Sequence, residues 1–516
     1  MRRPVSHATA GLEGIAGGAR QEGRNPLRIA RAVTYTLLAA AVARFWIAPL
    51  GSSFWRDETG TFWTIKDGLL PMFARLQEWP SITATYGLVC SAAYTLGGAH
   101  EYVMRLPSVI AIALASLLLY QLAKRLLGAA SALPAVAVFI CSGTVAFAAC
   151  DARPYALLLL AVIGSTLALV HWLDAGFPGN AMAYVVTAAL TPYVHYLAWP
   201  VLAVHAVYAL ARLREGGPVR LKRLAIAAMG IAVLVAPLGP VLRSLFKNRA
   251  LMSFAPAPSL SSLANILTPP VLLCGAALGL LVAWVVCGHL AATASKLPVS
   301  SAVLLVALAT MPVFLFFAFS TLTSTSIFVS RYMIESQVAL ALLAGWAIGR
   351  LQPVAARFVV VASVIVCSLG AFGSVRHLWP VHGGEDWRGA MAAVRRIAGN
   401  SRMPVVVRSG FVESSKLKVY VASELPSYLM APLALYPAAG DVHQIPYRMD
   451  ERARLYLESS VVPFLARADR FLLVVSGDAN QPYDAWISGR LPGYSSRHVG
   501  DFAGVDVILY QSDRPR

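Results

Sequence analysis

Eleven apolar runs fill the first three quarters of the chain, near residues 29–49, 106–123, 132–150, 154–172, 181–197, 199–211, 224–245, 270–291, 299–320, 331–349 and 357–375. Most reach the roughly 17–25 residues that a helix needs to cross the hydrocarbon core of a bilayer, and the pair flanking Pro200 is the shortest. In lipid every backbone N–H and C=O must be satisfied within the segment, so runs of this kind are restricted to helices. Composition agrees. Of 516 residues, 58% are hydrophobic and 13% charged, whereas a soluble domain is about a quarter charged. An ordinary soluble enzyme, a disordered chain and a disulfide scaffold are excluded. The six cysteines sit in apolar context and no pair has zinc-ligand spacing, so neither a disulfide nor a zinc site is expected.

The net charge of +18 is unevenly divided. Residues 376–516 hold 17 Lys and Arg against 14 Asp and Glu, and residues 1–375 hold 26 against 11. A basic excess confined to the apolar part reads as topology and not as nucleic-acid binding. Arg2, Arg3, Arg20, Arg24 and Arg28 precede the first run, Lys124 and Arg125 follow the second, Arg212, Arg214, Arg220, Lys222 and Arg223 follow the sixth, and Arg350 and Arg357 bracket the last two. With eleven spans all of these fall on one side, which the positive-inside rule makes cytoplasmic. Residues 1–26 then read as a disordered cytoplasmic N-terminus with no cleavable signal peptide. Residues 27–375 read as the membrane domain of a multi-pass plasma-membrane protein, with a structured outer loop over 51–105. Residues 376–516 read as an extracytoplasmic domain. In that last part, 386–398 and 451–467 have helical spacing, with Leu455, Leu457, Val461, Val462 and Leu465 inward. Residues 404–408 and 471–476 are short apolar strands, and 494–510 reads as two strands around Ala503-Gly504. The alternation points to a small α/β layer.

The polar residues of the membrane part gather at the outer boundary. The loop after the first run carries Phe54-Trp55-Arg56-Asp57-Glu58-Thr59-Gly60-Thr61-Phe62-Trp63, an adjacent carboxylate pair bracketed by aromatics. A carboxylate at headgroup depth is suited to general-base work, and the alternative is a solvated loop pair. Residues 82–96 form an apolar stretch too short to span, which reads as an interfacial or re-entrant helix. Arg105 opens the second run, as a snorkelling anchor or an anion ligand. Cys150-Asp151-Ala152-Arg153-Pro154-Tyr155 is a minimal loop that pins Asp151 and Arg153 at the surface, where they either neutralise each other or serve a site. His195 and Tyr196 mark the next outer boundary. Arg331 and Glu335, four residues apart, can pair along a helix.

Taken in order, Arg56-Asp57-Glu58-Thr59, Arg105-Leu106-Pro107-Ser108, Ala152-Arg153-Pro154-Tyr155, His195-Tyr196 and Arg331-Tyr332 resemble the motifs of the GT-C class of membrane glycosyltransferases. More narrowly they resemble the protein-mannosyltransferase and aminoarabinose-transferase family in its broad bacterial branch. The resemblance covers about 55–375, and Asp386-Trp387-Arg388-Gly389 resembles the start of the family's outer domain. It implies a polytopic α-helical GT-C-like fold of about eleven spans with a C-terminal extracytoplasmic α/β domain. It also implies that Asp57, Glu58 and Asp151 are catalytic carboxylates, Asp57 being the base. Arg105 and Arg331 would lie near a lipid phosphate. Arg153, His195, Tyr196, Tyr332 and Glu78 would contact substrate. The chain departs from the family's pattern at Glu78-Trp79-Pro80-Ser81, which lacks the basic residue and second proline, and at Val194, which stands where relatives have Thr before the histidine matched by His195. No metal ligand is assigned, and a divalent cation is the one cofactor the resemblance admits.

The expected activity is transfer of a sugar from a polyprenyl-phosphate donor to a lipid, glycan or protein acceptor of the envelope, with inversion at the anomeric carbon. The expected partners are that lipid-linked sugar, the acceptor and membrane lipids, with no nucleic acid. Nucleotide sugars are cytoplasmic, so a chamber facing out requires a lipid-linked donor. An ion- or proton-coupled transporter using Asp57, Asp151 and Glu335 is the alternative, although no internal repeat is visible. A non-catalytic scaffold with a sensor-like outer domain is a third.

Overall fold

The computed structural model describes residues 24–78, 80–247, 249, 255–294, 296–373, 381–411, 427–476 and 483–513. Most of the N-terminal segment expected to be disordered, Trp79 and the stretch 374–380 lie outside them. All eleven apolar runs are helical. Among the described residues, six helices are long and apolar enough to cross a membrane: Glu101–Leu127, Tyr155–Ala175, Leu221–Lys247, Pro270–Cys287, Val299–Leu322 and Val354–Phe372. Ala129–Cys141 and Gly143–Ala149 add a seventh if the pair, bent by 72°, is one span. The other four runs fall short for local reasons. Arg24–Val42 begins with polar and basic residues. Pro178–Val194, Trp199–Arg214 and Ser336–Gly349 have only 17, 16 and 14 residues. The tenth run was expected to be helical from 331, but Ser330–Met333 is a 3₁₀ turn and the α-helix starts at Ser336.

Two glycine pairs set the helix packing. Gly275 and Gly279 face Val364 and Val360, and Gly345 and Gly349 face Ala135 and Ser131, each so closely that an added Cβ would collide with the neighbouring backbone. Lipid tails are as apolar as leucine, so helices in a bilayer associate through close backbone approach, and a glycine every fourth residue permits it.

The loop after the first apolar run holds three helices, Arg56–Ile65, Leu69–Glu78 and Ala84–Gly97. The last matches the short apolar stretch and is capped by Thr83, whose hydroxyl accepts from Tyr86 N at 3.3 Å. Beyond the membrane part, five strands form one sheet in the order 441–444, 404–408, 470–476, 505–512, 494–501. The first three are parallel and the last two antiparallel additions. Trp387–Ala398 packs on one face, and that core runs without interruption from Val405, Val407 and Leu472 of the sheet into Phe54, Phe62 and Met72 of the loop after the first apolar run. The opposite face is covered by Tyr456, Leu457, Val461 and Leu465. Leu455, expected inside, is 62% exposed. A π turn over Leu457–Val461 breaks the regular period there and rotates the inward face. The final two strands meet at Ala503 and Gly504, both at positive φ, as a tight hairpin requires.

Candidate active site

The Arg56–Ile65 helix follows the first apolar run. Its third residue, Glu58, turns back to accept from the N–H of the N-cap residue Trp55 at 3.3 Å, half of a capping box. This turn sends the two adjacent carboxylates in opposite directions. Asp57 is partly exposed and Glu58 is fully buried.

Asp57 lies among cations and aromatics. Arg331 Nη2 stands 3.4 Å from its Oδ2. Arg331 Nε donates to Tyr155 OH at 3.2 Å, and the guanidinium sits 5.6 Å from the Trp55 ring centre and 5.5 Å from that of Tyr332. Arg153 donates to the Asp57 carbonyl at 3.3 Å and to the Ser81 carbonyl at 2.9 Å. The His195 ring packs beside Tyr155 and Tyr332 with centroids 5.4 and 6.0 Å away. Five separate stretches of sequence thus converge on one carboxylate with two guanidinium groups around it. A cluster of aromatic rings with excess positive charge is suited to an anion. Tyr155, which the motifs contain but sequence reasoning left without a role, is the hydroxyl that orients Arg331.

Glu58 and Arg105 form a separate layer beneath. Arg105 donates to both Glu58 oxygens, Nε to Oε1 at 2.7 Å, and to the carbonyls of Pro49, Leu50, Ser52 and Ser53. Both side chains have no exposed surface. The expectation that Arg105 meets a lipid phosphate is therefore corrected. Its N–H donors are committed to the protein, and it clamps the 49–53 turn onto the Arg56–Ile65 helix. Glu58 also accepts from Ala152 N at 2.7 Å, which ties in the 150–154 loop. Arg331 and Glu335 do not pair as the spacing suggested, because Arg331 turns to Asp57. Glu335 is buried, and its carboxylate has no hydrogen-bond partner among the described residues. Glu78 ends the Leu69–Glu78 helix in an exposed position. Tyr196 is half-buried next to His195.

Asp151 is also fully buried. Its Oδ1 accepts from Trp55 Nε1 at 3.0 Å, and burial pushes its carboxyl up to about 7, against the Trp55 hydrogen bond and the nearby Arg153 charge. Asp151 and Arg153 do not neutralise each other by contact, because each is engaged elsewhere. His382 completes this layer from the far side of the last membrane helix. Its Nε2 is 3.4 Å from Asp151 Oδ1 and its Nδ1 is 3.4 Å from Cys150 Sγ. Three residues on, Glu385 accepts from Arg56 N at 2.8 Å, from Trp387 Nε1 at 2.9 Å and from Ser476 Oγ at 3.1 Å. Neither residue was singled out from the sequence, since nothing local marks a His-Gly-Gly-Glu turn as part of a site.

Glu58, Asp151 and His382 bring their ligand atoms within 4.8 Å of one another, the one such group among the described residues. A divalent cation does not fit it. Each Glu58 oxygen already accepts from Arg105 and from a backbone N–H, so a metal would have to displace a buried guanidinium. Glu78 belongs to no such group.

An apolar cavity of about 670 Å³ among Trp172, Tyr184, His205 and Ile231 shares no residue with these clusters. Comparison with known proteins gives consistent results. Residues 85–242 match the dolichyl-phosphate-mannose-protein mannosyltransferase family. The fold is similar to that of ArnT from Cupriavidus metallidurans in the apo state, with 13% identity, a TM-score of 0.56, and coverage of 93% of this chain and 98% of that one. It is also similar to the same protein bound to undecaprenyl phosphate, with 15% identity, a TM-score of 0.52, and coverage of 92% and 97%. Curated protein sequences give no match.

Proposed function

We propose, from the family match over residues 85–242 and the fold likeness to ArnT, that the chain is a membrane glycosyltransferase of the GT-C kind that moves a sugar from polyprenyl phosphate to an envelope acceptor. The observation that carries the proposal is Asp57, the partly exposed carboxylate held beside Arg331 and Arg153. In this reading the Asp57 carboxylate takes the proton of an acceptor hydroxyl. The hydroxyl oxygen forms the new bond to the anomeric carbon, and the bond from that carbon to the phosphate oxygen breaks on the opposite face, inverting the centre. Polyprenyl phosphate leaves with the electron pair. Its growing charge needs cations already in place, since none can be recruited cheaply at low dielectric. Arg331 supplies the fork, with Tyr155 fixing its angle, and Arg153 adds positive charge from the 150–154 loop. His195, Tyr196 and Tyr332 wall the sugar subsite. Glu58 and Asp151 reach no open surface, so they position Asp57 and Trp55 and do not touch substrate.

The arginine placement supports an outward-facing site, with residues 1–26 inside and residues 376–516 outside as the unit that presents the acceptor. A lipid-linked donor agrees with undecaprenyl phosphate being the ligand of the structurally similar ArnT. The transporter alternative gains no support from a fold shared with a sugar-transferase-like family. The test is release of polyprenyl phosphate from polyprenyl-phosphate sugars by the purified protein in nanodiscs with an envelope extract as acceptor source, together with reporter fusions after Arg223 and at the C-terminus. Release that needs neither Asp57 nor acceptor, or a cytoplasmic C-terminus, defeats the proposal.

A further inference from the structure

The buried His382–Asp151 contact has no role in the transfer step above. We infer that His382 is a positioning residue. Its Nε2–H faces the Asp151 carboxylate as a second donor, and through Asp151 it holds the Trp55 indole beneath Arg331, so that docking of the outer segment completes the membrane site. The inference uses the glycosyl-transfer reading for one of its readouts only.

The geometry comes from both ends of the contact. The His382 ring lies on Phe147 with centroids 4.3 Å apart. Its backbone N–H donates to Ser52 Oγ at 3.1 Å. Gly383 follows at φ +68°, and the Trp55 side chain fills the space that a Cβ there would occupy. The ring is therefore fixed by packing and by backbone on both sides. At its two nitrogens, Cys150 Sγ faces Nδ1 and Asp151 Oδ1 faces Nε2. The ionised Asp151 carboxylate can only accept, which assigns the remaining ring proton to Nε2 and leaves Nδ1 facing a thiol whose sulfur also lies 3.9 and 3.8 Å from the Ala146 and Phe147 carbonyls. Burial holds the imidazole neutral by pushing it down to about 3. Nε2 and Asp151 Oδ2 have no hydrogen-bond partner of their own among the described residues. The Nε2 approach of 3.4 Å is to Oδ1 and is long, and in the inferred arrangement the Nε2–H closes onto the carboxylate. Unsatisfied buried polar atoms on two adjacent side chains are costly, and a hydrogen bond between those side chains offsets that cost.

From Asp151 the chain of contacts continues outward. Oδ1 receives the Trp55 indole N–H, and the indole ring lies 5.6 Å from the Arg331 guanidinium carbon. Trp55 is also the N-cap residue from which the Asp57 helix starts. Displacing His382 therefore loosens Asp151, then Trp55, and finally the angle between Asp57 and Arg331.

The experiment uses the full chain in nanodiscs with His382→Phe, which keeps a ring on Phe147 without a donor, and His382→Gln, whose amide nitrogen reaches toward the Nε2 position. Turnover is followed against pH. Asp57 and Glu58 from the first outer helix, Arg105 and Tyr86 from their helices, Cys150 and Arg153 from the loop, and His382 are the titratable or charged groups facing Asp151, and only His382 changes. Loss of a donor disfavours the carboxylate, so His382→Phe should move the acid limb of turnover up by about one pH unit. Turnover at neutral pH should fall about tenfold. His382→Gln should restore most of both. Asp151→Asn should remove the difference between histidine and phenylalanine at 382. A second readout needs no activity. The pH midpoint at which Asp151 affects thermal stability, taken as wild type minus Asp151→Asn, should rise by the same amount in His382→Phe. This arm is read even if no sugar is transferred, so failure of the functional proposal and failure of this inference are distinguishable. Unchanged pH behaviour in a folded His382→Phe overturns the inference. So does a stoichiometric metal ion, measured by elemental analysis, that the variant loses.

Discussion

Arg105 and Arg331 occupy equivalent places in the sequence motifs, yet the structure predicts opposite consequences for removing them. Arg105→Ala takes the partner from a fully buried Glu58 and the donor from the carbonyls of Pro49, Leu50, Ser52 and Ser53. Breaking a buried pair by deleting one member costs about 3–5 kcal/mol, because the other charge stays uncompensated. In a chain of this size each kcal/mol shifts the melting temperature by about half as much as in a 150–250-residue domain, so the expected drop is roughly 3–10 °C. Arg331→Ala removes a longer, partly exposed pair, with side chains 23% and 21% exposed, and one hydrogen bond to Tyr155, at a cost of about 1–3 kcal/mol. Stability should fall less than in Arg105→Ala. Affinity for undecaprenyl phosphate, however, should fall by about two orders of magnitude, since a phosphate at low dielectric loses a charge-assisted partner. Arg331→Lys should recover only part, having charge without the fork. The assay is thermal unfolding by intrinsic fluorescence alongside binding of undecaprenyl phosphate, both on purified protein. If Arg105→Ala melts like wild type, or Arg331→Ala binds the lipid phosphate normally, the division of the arginines into clamp and anion ligand is wrong.

Asp57→Asn keeps shape and should cut turnover by about 10²–10⁴-fold with undecaprenyl phosphate binding retained; near-normal turnover removes Asp57 as the base. Asp151 has a folded pKa raised to about 7 by burial, so its contribution to stability is present at low pH and is lost as pH rises through about 7. Asp151→Asn should therefore gain stability relative to wild type between pH 4 and pH 8, by roughly 4 kcal/mol at most, and melting curves across that range that stay parallel contradict the burial argument. Gly279→Leu places a side chain against the Val360 backbone and should lower folded yield far more than Leu278→Ala on the exposed side of the same helix, as measured by size-exclusion recovery after extraction.

Hydropathy is a local, additive property, and what depends on it was legible. The eleven apolar runs are helical, six or seven of them long and apolar enough to cross a membrane among the described residues, and the short stretch at 82–96 is the Ala84–Gly97 helix. The strands at 404–408 and 470–476 and the hairpin at Ala503-Gly504 followed from runs of β-branched residues and turn chemistry in the same way. The order of five short motifs identified the GT-C resemblance, because function conserves residue types in sequence order even where no single motif is distinctive. Partner choice is not a local property. Whether Arg331 meets Glu335 four residues away or Asp57 across the fold depends on a 3₁₀ turn that delays the helix to Ser336. Whether Asp57 or Glu58 faces the open site depends on a capping interaction that spends Glu58 on Trp55 and Arg105. His382 lies 232 residues from Cys150, and a histidine in a glycine turn carries no sign of what it will touch. Sequence determined which residues are polar at the outer boundary. Only the packing of one core across the first outer loop and the sheet decided which of them stay near the surface as candidates for chemistry and which are buried to hold those in place.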